Sequence, residues 1–485
     1  MVFSSFLFLF YFLPIALLLY YVVPRRAQHL MLTMVSLIFY GWANPLFSFL
    51  LLFSTGVDYI AGLVIALGGP RTWSRPIHRL EVHSHRSTRQ RAALIISICT
   101  NLTVLAFFKY FNFGTQSYNE LVNWVGIPEL RIDVALRVAL PLGISLYILQ
   151  SLSYVIDVYR GHSTAIKSFN DFLCFETMYP QLVAGPIIRY SEIEDQLHSR
   201  TSTPMKFARG VAFFSLGMAK KVVLANPCGK IADLAFEAGS LAPLEAWYGV
   251  TAYAFQIYFD FSGSSDMAIG LGLMLGFVFP KNFDSPYKSH SITEFWHRWH
   301  ISLSAWLRDY LYVPLGGNRK GPVRTYVNLL LVMLIGGLWH GAAWNFVVWG
   351  ALHGLLLASE RLRGKAALYG GFPAPVRIGV TFALVLVTWV FFRAADLGHA
   401  FRYLGNMAAL GRPAESTGLL AGIVYQPYYL GTFLLAGLIV WSAPQTWDWS
   451  RTLTVSKAAA VMAVFVLSVV MLATQSYNPF IYFFF

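Results

Sequence analysis

Two histidines stand where imidazole chemistry is expected. His340 lies in Gly336-Gly337-Leu338-Trp339-His340-Gly341, inside a stretch from Thr325 to Ser359 that holds no Lys, Arg, Asp or Glu. A titratable group at membrane depth marks a functional site by default. Burial disfavours the imidazolium, so a buried ring stays neutral and can accept a proton, as a general base must. His300 precedes it in Arg298-Trp299-His300-Ile301-Ser302-Leu303-Ser304, where a basic residue, aromatic rings and hydroxyls share one segment. Those groups can bind an acyl donor or orient a second group beside the base. Arg298 and Ser302, with Arg308 and Asn318 downstream, are the supporting or donor-binding candidates, and Trp339 flanks His340. The competing reading of His340 is a packing histidine, its neighbouring glycines letting a second helix approach closely. For His300 it is an interfacial polar residue.

Other residues bear on the chemistry. Tyr258-Phe259-Asp260-Phe261-Ser262-Gly263-Ser264-Ser265-Asp266 puts two carboxylates in an apolar run. Asp260, Ser262 and Asp266 are expected to support the site, the acids pairing with arginines of the next polar segment or capping a helix break at Gly263. A transporter using Asp260 and Asp266 as an ion site is the competitor from another class, and the histidine motifs argue against it. His297 and His300 form a His-x-x-His pair, but the chain has no adjacent histidine pair and its other histidines are scattered, so no metal site is expected. Gly316-Gly317-Asn318-Arg319-Lys320 lacks phosphate-loop spacing and reads as a turn. Val183-Ala184-Gly185-Pro186 reads as a helix break. The C-terminal Pro479-Phe480-Ile481-Tyr482-Phe483-Phe484-Phe485 is either an interfacial aromatic belt or a means of delivering the Tyr482 hydroxyl to a site. Cys99, Cys174 and Cys228 have no metal or disulfide spacing and read as free thiols.

The elements that must position these groups are membrane helices. Of 485 residues, 56% are hydrophobic and only 12% charged, too few charges to cover a soluble surface. Uncharged runs at 1–24, 27–57, 138–156, 416–447 and 458–485, with further apolar segments between, predict an all-α polytopic protein. At about twenty residues per crossing, about ten to twelve membrane helices are expected. The first run has no basic leader and no cleavage site, so it is expected to remain as a helix. The loop 71–91 holds six arginines, three histidines and one glutamate, which places it in the cytoplasm and the N-terminus outside, if residues 27–69 cross twice with a turn near Asn44-Pro45. The net charge of +13 follows from this topology rule, and basic cytosolic loops could also attract an anionic donor. No basic domain stands apart, so nucleic acid is not an expected partner. Residues 280–324 hold seven basic and three acidic side chains among dense aromatics. Phe295, Trp296, Trp299, Leu303, Trp306 and Leu307 recur at three- and four-residue steps, and Glu294 is placed to pair with Arg298, which predicts one amphipathic helix at the interface or lining a wet cavity. One membrane domain over residues 1–485 is the economical organisation.

At Trp299-His300 and Trp339-His340-Gly341, together with Ala184-Gly185-Pro186 and the segments 258–270 and 293–321, the chain resembles the membrane-bound O-acyltransferase family over essentially its whole length. It is most similar to the bacterial branch of alginate and peptidoglycan O-acetyltransferases. The resemblance implies a helical ring-like membrane fold around a central tunnel, His340 as the family's essential histidine and His300 as its second, more variable position. It also implies no bound cofactor, an acetyl group taken from acetyl-CoA or an acyl carrier and moved across a bacterial inner membrane, and Tyr482 as a covalent carrier in the branch's terminal aromatic motif. A periplasmic partner protein would pass the acetyl group to a polysaccharide hydroxyl. D-alanyl transfer is the alternative within the family. Ser264 and His297 depart from the branch's pattern, which has tyrosine and arginine there.

Overall fold

The computed structural model describes every residue except 43, 83, 134–136, 365–366, 411–421 and 480–485. Among the described residues every regular element is helical. Two compact units form: Phe6–Ser202 with Leu275–Phe279, and Thr203–Met274 with Pro280–Phe485 and the short Val2–Ser5.

The first unit contains α1 (Leu13–Val22), α2 (Gln28–Gly41), α3 (Pro45–Leu67), α4 (Thr88–Val125), α5 (Ile144–Arg160), α6 (Phe169–Thr177), α7 (Tyr179–Leu182) and α8 (Tyr190–His198). The turn expected at Asn44-Pro45 is present: the Asn44 side chain caps α3 by accepting from the Leu46 amide at 3.1 Å, and Pro45 takes the first helical position. A reciprocal capping box, Ser87 with Gln90, starts α4 where the basic loop ends. At 38 residues α4 is about 57 Å long, nearly twice a hydrocarbon core of about 30 Å. The Val183–Pro186 break is also found, since α7 stops at Leu182.

In the second unit α9 (Pro204–Ala219) runs through a wide turn at Lys220–Ala225 into α10 (Asn226–Glu237), and α11 (Pro243–Met274) packs antiparallel to α9. Glycines seven residues apart on each helix make that contact. A Cβ on Gly263 would lie 2.6 Å from the Gly217 carbonyl, and one on Gly270 2.6 Å from that of Gly210. Small residues at such spacing let backbones meet. The expected break at Gly263 is therefore absent; α11 runs through it because the glycine serves close packing. After α11 come α12 (Ile292–Arg298), α13 (Ile301–Leu307), α14 (Pro322–His340), α15 (Trp344–Leu362), α16 (Ala374–Arg393), α17 (Leu397–Met407), α18 (Pro427–Ser442), α19 (Thr446–Trp449) and α20 (Val455–Thr474).

Five helices among the described residues are long and apolar enough to cross a bilayer: α3, α4, α14, α16 and α20. Two shorter apolar helices, Phe8–Val22 and Pro427–Ser442, accompany them. Large side chains such as Phe49, Phe53, Ile95 and Ile96 are more than half exposed, as befits lipid-facing surfaces. The protein is multi-pass. Fewer helices meet that standard than the apolar runs suggested, because some runs serve protein rather than lipid. Nearly all of α11 from Ala252 to Met274 is buried within the protein, and the run 138–156 is helical only from Ile144.

Candidate active site

The periodicity of 295–311 predicts one helix, but the structure breaks it at the chemically interesting residue. Backbone at His300 is left-handed, φ 43° and ψ 55°, separating α12 from α13. A non-glycine residue in that region costs about 1–2 kcal/mol and persists only where the surroundings impose it. Here residues 282–284 impose it. The Ile301 amide donates to the Asn282 carbonyl at 2.9 Å, and the Asp284 amide donates to the Arg298 carbonyl at 2.9 Å. The Asn282 side-chain oxygen accepts from the Ser302 hydroxyl at 2.8 Å and its amide at 3.2 Å, while its nitrogen donates to Ser265 at 2.9 Å. Asn282 is thus a positioning residue that the sequence reading passed over.

The break turns His300 inward. Its ring is 1% exposed, and among the described residues neither ring nitrogen has a hydrogen-bond partner. Phe261 packs edge-on at 4.5 Å and Trp339 lies at 6.1 Å between ring centres. Burial holds the imidazole well below its usual proton affinity, so the ring is neutral. His297, three residues earlier, is exposed and faces elsewhere.

His340 is the last residue of α14, 7% exposed. Its ring centre is 6.2 Å from that of His300, so the forty-residue separation in sequence closes in space. Trp339, Trp349 and Phe392 surround it at 5.0, 5.3 and 5.3 Å. Close packing of α14 on α15 fixes this end: a Cβ on Gly337 would lie 2.3 Å from the Phe346 carbonyl, and one on Gly350 2.4 Å from that of Met333. The glycines therefore do allow the approach that the packing reading supposed. They deliver a histidine pair into an aromatic box as they do so.

A third histidine belongs to the same box. His353, fully buried on α15, accepts at Nδ1 from the Trp296 indole at 3.2 Å and lies 4.8 Å from Trp349. It stands in the same uncharged stretch as His340, a signal the sequence reading did not use, while its contact with a tryptophan 57 residues away is not visible locally.

The carboxylates find lysines rather than arginines. Asp260 pairs with Lys221 at 3.0 Å, both side chains 1% exposed. Asp266 pairs with Lys220 at 2.6 Å and accepts from the Thr446 hydroxyl at 2.6 Å. The wide turn at Lys220–Ala225 lets two consecutive lysines reach two acids on α11. Lys221 also donates to the Pro479 carbonyl, which ties the C-terminal segment to the residue preceding Phe261. Tyr477 bonds Asp233, which pairs with Arg393, and Asn226 donates to Asn478 at 3.2 Å. Tyr482 lies outside the described residues.

Of the other candidates, Ser262 is buried on α11 with no partner for its hydroxyl among the described residues. Arg298 pairs with Glu294 at 2.8 Å, as its spacing predicted, and donates to the Asp284 carbonyl. Ser302 is spent on Asn282. Asn318 sits exposed in the turn after α13, whose Gly316 and Gly317 have φ of 104° and 54°; the stretch is the turn its composition suggested. Arg308 pairs with Asp309 and lines a cavity of about 440 Å³. Trp296, Val332 and Met333 give that cavity apolar walls, Arg308 and Arg361 give it cationic ones, and His297 also lines it.

A multi-pass helical protein with a buried histidine pair, and an apolar, cation-rimmed cavity lined by Ile301 next in the chain to His300, fits an acyl-transfer enzyme, and the comparisons agree. Residues 151–366 match the model of MBOAT, the membrane-bound O-acyltransferase family, and the chain belongs to that family as an O-acyltransferase. It is 43% identical to the probable alginate O-acetylase AlgI of Pseudomonas putida and 42% identical to that of Azotobacter vinelandii, covering the whole of both chains in each case. It is also 36% identical to the peptidoglycan O-acetyltransferase of Helicobacter pylori, across 84% of this chain and 80% of the relative.

Proposed function

We propose that this membrane O-acetyltransferase takes acetyl from cytosolic acetyl-CoA and moves it through a bacterial inner membrane, for attachment to an extracytoplasmic polysaccharide such as alginate. The observation that carries the reading is the buried His300–His340 pair in its aromatic box. His340 is the general base and His300 assists by orienting the acyl group. The cavity lined by Ile301, next in the chain to His300, suits a thioester carrier: its apolar walls take the pantetheine arm and its cationic side chains face the phosphates.

In the covalent form of the reaction, His340 accepts the Tyr482 phenolic proton while the phenolate oxygen attacks the thioester carbonyl. The carbon–sulfur bond breaks, and the departing thiolate takes the proton back from His340 as free CoA. Acetyl-Tyr482 then passes its acyl group to a nucleophile on a periplasmic partner, which delivers it to the sugar hydroxyl. Donor and acceptor on opposite membrane faces favour such a carrier. The described part of the tail ends at Pro479, whose carbonyl accepts from Lys221, the partner of Asp260. The likeness to a peptidoglycan O-acetyltransferase keeps peptidoglycan as the alternative acceptor.

The test is mass spectrometry of the C-terminal peptide after incubation with acetyl-CoA, with acetyl transfer measured in parallel. A mass increase of one acetyl group on Tyr482 is expected, abolished in His340→Ala. An unmodified Tyr482 in an active preparation removes the carrier role, and near-normal transfer by His340→Ala removes the base assignment. Ester-linked acetate on cell-surface polymers, compared with and without the gene, identifies the acceptor.

A further inference from the structure

The first unit buries two carboxyl groups that the acyl-transfer chemistry does not use. Asp58, midway along the membrane-spanning α3, and Glu176, on α6, are both 0% exposed. Among the described residues neither has a basic side chain within ion-pair distance; Lys109 on α4, a buried cation of this unit, donates to Ser145. An uncompensated charge at membrane depth is not tolerated without a counter-charge or a proton.

Counting hydrogens shows what is present and what is missing. Asp58 accepts from the Ser97 hydroxyl at 2.5 Å and from the Asn101 amide at 2.8 and 3.0 Å. It also lies within hydrogen-bonding reach of Ser151, whose hydroxyl is 2.8 Å from Glu176 Oε2. Ser151 has one hydrogen and stands between two carboxyl groups, so it can donate to only one of them. With a proton on Glu176 Oε2, the order Glu176 to Ser151 to Asp58 gives both of those hydrogens an acceptor and leaves Asp58 ionised with three donor groups, Ser97, Asn101 and Ser151. The cluster then carries one net negative charge. Two of its oxygens stay free: Glu176 Oε1 and the Tyr147 hydroxyl, both buried, have no partner among the described residues. Tyr147 is close enough to both carboxyl groups to feel their charge.

We propose that this cluster is a binding site for one sodium-sized monovalent cation, held by Glu176, Tyr147 and the Asp58 charge between α3, α5 and α6. Hard alkali cations take carboxyl and hydroxyl oxygens in such sets, and one positive charge neutralises the assembly. The site lies outside the histidine box and stands whether or not the acyl-transfer scheme is right.

The full-length protein in nanodiscs tests this without any activity readout. Thermal melting is measured at constant ionic strength as N-methyl-D-glucamine chloride is replaced by sodium or potassium chloride, alongside equilibrium binding of radioactive sodium. A saturable rise of several degrees in sodium is expected, with about one sodium bound per chain, and both are lost in Glu176→Gln and Asp58→Asn. Equal melting of the unmodified protein in all three salts, with no sodium bound, overturns the proposal and leaves protons as the neutralising charge. Undiminished sodium binding in both variants overturns it as well. The binding measurement on the unmodified chain decides the matter even if a variant fails to fold.

Discussion

Replacing Asp260 with asparagine should produce a large and diagnostic loss of stability. The substitution leaves the Lys221 ammonium buried among an amide and the Pro479 carbonyl, with its charge uncompensated. Removing one partner of a buried ion pair typically costs about 3–5 kcal/mol. At about 2 °C per kcal/mol for a unit of this size, the melting temperature should fall by about 6–10 °C. The double variant Lys221→Met with Asp260→Leu removes both charges, and apolar replacement of a buried pair is close to neutral. It should therefore melt near the unmodified protein. It also removes the donor to Pro479, so acetyl transfer should stay impaired although stability has returned. Differential scanning fluorimetry of detergent-purified protein, with transfer assayed on the same preparations, separates the two effects. A drop below about 2 °C for Asp260→Asn, or a double variant as unstable as the sum of the singles, would refute the reasoning.

Further outcomes follow from the same geometry. His340→Ala should lower transfer by about 10²–10⁴, the worth of a general base, without moving the melting temperature appreciably. Asn282→Ala removes the acceptor that holds Ser302 and should cost about 1–3 kcal/mol; steady-state kinetics should show kcat falling more than KM, because His300 loses its position rather than its chemistry. Gly350→Val should force α14 and α15 apart, since the Cβ meets the Met333 carbonyl at 2.4 Å, with activity and melting temperature falling together. Arg361→Ala should raise KM for the donor with kcat nearly unchanged, and the difference from the unmodified enzyme should shrink as salt is raised.

Much of this site was legible in the primary structure, for identifiable reasons. An unusual group in an uncharged run is visible without coordinates, and so His340 was, while His300 was marked by the basic, aromatic and hydroxyl residues around it. The Glu294–Arg298 pair and the Asn44-Pro45 turn are local, and local rules found them. The break at His300 was hidden because Phe295, Trp299, Leu303 and Trp306 keep helical spacing across it. Only the hydrogen bonds from residues 282–284 override that periodicity. Lys220 and Lys221 stand in plain sight as a charged pair in an apolar run, but matching them to Asp266 and Asp260 requires the antiparallel register of α9 and α11. The seven-residue glycine spacing on both helices encodes that register. His353 carried the same mark as His340, a titratable ring in the uncharged stretch 325–359, and was passed over because no neighbouring residue pointed to its partner Trp296.

The left-handed backbone at His300 also restricts which amino acids evolution or an engineer can place there. Of the twenty side chains, glycine, asparagine and aspartate enter that conformation most readily, and β-branched residues are nearly barred. Glycine has no polar group to offer, and an ionised aspartate would be an uncompensated charge in an apolar box. Asparagine alone combines backbone tolerance with a neutral side chain able to hold a substrate oxygen. A saturation library at position 300 should therefore retain histidine and asparagine and discard alanine, glutamine and lysine, a selection made as much by a torsion angle as by chemistry.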